Sequence, residues 1–88
     1  MNQFKMLEML SNSFQRLRIV TDTVYQISKT KIEIEGFVDY RYEVEKVGWD
    51  VCFTIKFDDM VIDSIINLPH ENEVQFVSRI INLINNYK

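Results

Sequence analysis

Between residues 31 and 45, apolar and charged side chains alternate almost without a break. Ile32, Ile34, Val38, Tyr40, Tyr42 and Val44 hold even positions, while Lys31, Glu33, Glu35, Asp39, Arg41, Glu43 and Glu45 hold odd ones. A period of two sustained this long marks extended chain with one face in a core and the other in water. It excludes an all-helical fold and predicts one strand over 31–45, with Gly36 as a bend or bulge.

The same period returns downstream. Trp49, Val51, Phe53, Ile55 and Phe57 face one way, and Asp50, Cys52, Thr54 and Lys56 the other. Asp58-Asp59 suits a two-residue hairpin turn. Met60, Ile62, Ser64, Ile66 and Leu68 then continue the buried set on a further strand. Pairing Phe57 with Met60 sets Lys56 opposite Val61, Thr54 opposite Asp63 and Cys52 opposite Ile65. Pairing Val44 with Trp49 sets Phe37 opposite Lys56, Asp39 opposite Thr54 and Arg41 opposite Cys52.

A sheet with one apolar face needs a cover, and the chain supplies helices at both ends. Over residues 4–17, Leu7, Leu10, Phe14 and Leu17 recur at helical spacing with Met6 and Met9 beside them. After Pro69, a suitable helix start, Glu71 and Glu73 fall where the helix dipole favours acids. The last helix carries two stripes: Val74, Val77, Ile81 and Ile84, then Phe76, Ile80, Leu83 and Tyr87. Residues 18–28 are rich in β-branched and aromatic types and are read as a strand turning at Lys29-Thr30, with Ile27 opposite Ile32. The expected fold is a single α+β domain over residues 1–88. It is a four-stranded antiparallel meander with N- and C-terminal helices on one face, in the order α-β-β-β-β-α. The alternative is α-β-β-β-α with a long first helix.

Composition narrows the function. The single cysteine, Cys52, excludes an intramolecular disulfide. Neither a signal-peptide h-region nor an apolar run near the length of a membrane span is present, so a cytoplasmic protein without membrane contact is expected. Ala is absent while Ile occurs eleven times and Asn seven, the mark of AT-rich coding in a low-GC bacterium or its phages. Residues 1–30 carry four basic and two acidic residues, net +2; residues 31–88 carry six and eleven, net −5.

Residues that perform chemistry are scarce. His70 stands alone, and a zinc site needs more than one His and one Cys. Cys52 has no basic cluster beside it to lower its pKa. Lys56 and Lys46 have Thr54 and Val44 two residues before them, where metal-dependent nuclease strands place a carboxylate. No Gly-rich phosphate loop and no nucleophile elbow occurs. The α-β-β-β-α order resembles the double-stranded RNA-binding domain in element order alone. That module opens its last helix with basic residues, where this chain has Pro69-His70-Glu71-Asn72-Glu73, which would repel phosphate.

The expectation is therefore a non-enzymatic protein-interaction protein with no cofactor and no direct nucleic-acid contact. Its open sheet face is expected to hold the apolar anchors Phe37, Cys52, Val61 and Ile65 among Asp39, Glu43, Asp50 and Asp63. Such an acidic face suits a basic partner, for instance a nucleic-acid-binding protein blocked by an inhibitor encoded on a phage or mobile element. A homodimer or assembly built through the second helical stripe or the N-terminal Met/Phe stripe is the alternative. A metal-dependent or cysteine enzyme is the third class.

Overall fold

A computed structural model describes residues 1–13, 18–19, 31–35 and 39–87, with the backbone alone for 18–19 and 31–35. The elements are α1 (Gln3–Ser13), β1 (Arg18–Ile19), β2 (Lys31–Glu35), β3 (Tyr40–Val47), β4 (Asp50–Phe57), β5 (Met60–Ile66) and α2 (Glu73–Asn86). The sheet is an antiparallel meander in the order β1-β2-β3-β4-β5. Its body is the three long strands β3, β4 and β5, and both helices pack on one face of it. The strand read over residues 18–28 lies outside the described residues except for Arg18–Ile19, and so do Phe14 and Leu17 of the first apolar stripe.

The single strand expected over 31–45 is instead two, β2 and β3, paired as a hairpin with Ile32 opposite Val44 and Ile34 opposite Tyr42. Every pair in this register joins residues of like parity. The even residues therefore keep to one face through the reversal, and period two runs unbroken across a turn. Asp39, with φ at 63°, sits at the end of the connection.

The turn between β3 and β4 is Gly48-Trp49. Val47 pairs with Asp50, and Val44 pairs with Phe53 rather than with Trp49. Only Gly48 has positive φ, at 61°, which fits a type II′ turn with glycine first. Trp49 takes the second turn position, outside the ladder, and is 90% exposed instead of buried. Asp58 and Asp59 form the expected second hairpin turn, both left-handed at 51° and 64°, as a type I′ turn requires.

The β4–β5 ladder begins as predicted, with Phe57 opposite Met60 and Lys56 opposite Val61. It then shifts, because Ile55 pairs with Asp63 and leaves Ile62 as an extra residue. One added residue turns everything beyond it to the other face. Asp63 and Ile65 therefore face the helices, while Ser64 and Ile66 lie on the open face opposite Thr54 and Cys52.

One core results. Tyr42 and Val44 from β3, with Val51, Phe53 and Ile55 from β4, meet Met6, Leu7 and Leu10 of α1 and Phe76, Val77, Ile80 and Ile84 of α2. Tyr42 and Phe53 stack with ring centroids 5.6 Å apart. Gln3 donates from Nε2 to the Val44 carbonyl at 2.7 Å, tying the start of α1 to β3 inside the buried region. The buried residues of α2 come from both predicted stripes, so the packed seam runs between them and leaves Val74 exposed.

Pro69 is not the helix start. Pro69-His70 form a turn, and α2 begins after Asn72. The Asn72 side chain accepts from the Gln75 backbone N–H at 2.9 Å, and the Asn72 N–H donates to Gln75 Oε1 at 3.0 Å, a complete capping box.

Candidate interaction surface

The eight residues expected on the open face do not form one surface. Phe37 lies outside the described residues. Cys52 and Val61 are on the open face, and Asp50 is exposed at the start of β4. Asp50 Oδ1 accepts from the Asn67 side chain at 3.2 Å. Glu43 is on the same face but buried, in an ion pair with Lys56. Asp39 is at the hairpin end, its carbonyl accepting from the Asp58 N–H at 3.3 Å. The bulge carries Asp63 and Ile65 to the helix side. There Ile65 packs on the core, and Asp63 Oδ2 accepts from the Tyr87 hydroxyl at 3.1 Å. Bonding to this carboxylate, burial and its charge together raise the Tyr87 pKa above the ordinary tyrosine value.

Charge on the open face is interleaved rather than uniformly acidic. Lys56 pairs with Glu43, and Arg41 lies opposite Lys56 in the β3–β4 register. Asp39, Asp58 and Asp59 are exposed together on neighbouring turns at one end of the sheet.

Beside them lie exposed apolar side chains that period two does not reveal. Phe57, Met60, Val61 and Ile62 are exposed around the β4–β5 turn, Phe57 and Met60 on the helix side of the ladder and Val61 on the open side, and Ile66, Leu68 and Val74 are exposed farther along the chain. Met60 is 71% and Val61 60% exposed, although both lie in a strand. Ring contact between Tyr40 and Phe57, with centroids 4.9 Å apart, joins β3 to β4 at the hairpin end. Period two places Met60, Ile62, Ile66 and Leu68 in the core. Met60 keeps to the helix side opposite Phe57 but lies at the exposed hairpin end, while the extra residue at Ile62 turns Ile66 to the open face.

Cys52 Sγ lies 3.2 Å from Ser64 Oγ, and Ser64 Oγ lies 3.3 Å from Thr54 Oγ1, a small hydroxyl and thiol cluster on the open face. No base reaches it. Among the described residues, no group of three or more His, Cys, Asp or Glu could hold a metal ion. No helix there is long and apolar enough to cross a membrane.

The loop joining β5 to α2 is held by charge. Arg79 donates from Nε and Nη2 to the two carboxylate oxygens of Glu71 at 2.7 and 2.8 Å, and from Nη2 to the Ile66 carbonyl at 2.8 Å. The Leu68 N–H donates to Glu71 Oε1 at 3.0 Å. Burial pushes the Glu71 pKa up, but the Arg79 and Leu68 hydrogen bonds and the Arg79 charge outweigh it and hold the carboxyl below its ordinary value.

No protein-family model, no curated protein and no solved structure matches this chain.

Proposed function

We propose that the chain is a small non-enzymatic protein that binds another protein through the hairpin end of β4 and β5. The observation that carries this reading is the pairing of exposed apolar side chains, Phe57, Met60 and Val61, with the three exposed carboxylates of Asp39, Asp58 and Asp59. Exposed apolar anchors beside a cluster of carboxylates suit a partner that presents basic groups to that cluster. A basic nucleic-acid-binding protein has that chemistry. The small size and AT-rich coding composition support an inhibitor of the kind that phages and mobile elements of low-GC bacteria carry. The lone Cys52 supports a cytoplasmic setting.

The test is affinity capture from the source organism, followed by titration of the purified partner against the chain across salt concentrations. Val61→Lys should weaken binding by about tenfold or more by placing a charge at an anchor. Asp58→Lys/Asp59→Lys should weaken it further at low salt and flatten its salt dependence. Binding indifferent to all three substitutions, or a turnover activity that depends on Cys52 or Asp58, overturns the reading.

The exposed apolar side chains of β5 also favour a second reading, a homo-oligomer that buries them. Self-association insensitive to salt distinguishes it from the first.

A further inference from the structure

β5 is the last strand of the sheet, and among the described residues nothing pairs with its far side. The ladder shows which of its backbone groups face outward. Asn67 N–H donates to the Val51 carbonyl at 3.3 Å, so that position points toward β4. Antiparallel ladders alternate, so Ile65 and Asp63 also point toward β4, while the N–H and C=O groups of Ser64 and Ile66 point away. A row of outward groups on a strand rich in β-branched residues is a template for another strand. Met60–Ile66 contains Val61, Ile62, Ile65 and Ile66 and only one charged residue, Asp63.

Two of these outward groups are already occupied. Ser64 N–H donates to Asp63 Oδ1 at 2.8 Å, and the Asp63 carboxylate is held in place by the Tyr87 hydroxyl on Oδ2. The Ile66 carbonyl accepts from Arg79 Nη2, and Arg79 is held by both oxygens of Glu71. The two blocks thus have the same construction. A charged side chain takes an edge group, and a second residue fixes that side chain.

We infer that Asp63 and Arg79 close the free edge of β5 against strand addition by a second copy of this chain. A second copy is the occupant that the sequence of β5 fits. Antiparallel self-pairing about a two-fold axis sets one apolar, nearly uncharged strand against its own equal, with no opposite charge needed on the partner. This inference concerns the backbone edge of β5 and does not rest on the side-chain surface proposed above.

The test is sedimentation velocity of the full chain over a range of concentrations. The variant Asp63→Ala/Glu71→Gln/Arg79→Gln opens both groups without leaving Glu71 as an unpaired carboxylate. It should self-associate at least about tenfold more tightly than the parent, as expected for two backbone hydrogen bonds regained between copies. Adding Ser64→Pro should return it to the parent's behaviour, because that N–H faces outward and its loss spares the β4 ladder. An opened variant that keeps the parent's circular dichroism but associates no more than the parent overturns the inference. Association that survives Ser64→Pro also overturns it, since it would then run through side chains. Should the triple variant fail to fold, Asp63→Ala alone, with the Glu71–Arg79 pair intact, must still tighten association, and its failure to do so is equally decisive.

Discussion

Glu71 links three parts of the chain through one carboxylate that is only 7% exposed. It accepts from Arg79 on α2 and from Leu68 at the end of β5, and it sits in the loop between them. Its pKa is held below the ordinary glutamate value of 4.5, so the folded state binds its proton more weakly than the unfolded chain does. Stability from this group is therefore fully present above about pH 4.5 and falls as the pH drops through the lower folded value. Glu73 acts in the same direction, its pKa lowered chiefly by the Asn2 N–H that donates to Oε1 at 3.1 Å. Glu71→Gln should cost about 1–2 kcal/mol at neutral pH through weaker hydrogen bonds to Arg79, discounted because Arg79 is partly solvated. It should also reduce the loss of stability below pH 4.5. Denaturant unfolding of both proteins at pH 7 and at pH 3.5 measures both effects.

At the scale of elements, the turns and caps are where single substitutions read most cleanly. Asp58 and Asp59 both hold left-handed backbone that a side chain disfavours. Asp59→Gly should stabilise the β4–β5 hairpin by about 0.5 kcal/mol, the relief of that strain less the greater freedom of glycine in the unfolded chain. Thermal unfolding should shift upward by about 2–4 °C. Asn72→Ala removes the acceptor of the Gln75 N–H and should cost about 1 kcal/mol.

The same elements show what could be read in advance. The inward residues of β3 and β4, the Asp58-Asp59 turn and a covering helix at each end all follow from period and turn chemistry. Three features do not. The hairpin inside 31–45 hides because its like-parity register preserves the alternation. The bulge at Ile62 hides because an extra residue in a ladder leaves no trace in a run of apolar residues such as Met60-Val61-Ile62. Trp49 hides because nothing in its own alternation says that Gly48 will claim the first turn position and push it out. Of the eight candidate contact residues, the bulge redirected Asp63 and Ile65. The Lys56 pairing that buries Glu43 depends on a register that parity leaves open to shifts of two.

At the scale of the molecule, both helices and the body of the sheet share one cluster of buried side chains, and that predicts how the chain unfolds. Phe53 lies at the centre of β4 and Phe76 in the first half of α2, and both are fully buried in the same core. Removing either ring should cost about 3–5 kcal/mol. A domain of this length has about 4–9 kcal/mol in total, so each variant should be close to unfolding at moderate temperature. With no second core among the described residues to hold the sheet once α2 has left, the helical and sheet signals should be lost together, at one midpoint, in the parent and in both variants. Far-UV circular dichroism and near-UV tyrosine signals followed through the same urea titration check this. Trp49 is the wrong probe. At 90% exposure its fluorescence should change little on unfolding, whereas Tyr42, stacked on Phe53, reports the core directly. A midpoint for the helices distinct from that of the sheet would mean that α2 rests on β4 and β5 less firmly than the shared cluster implies. The Arg79–Glu71 clasp on the β5 edge would then be the contact to weaken next.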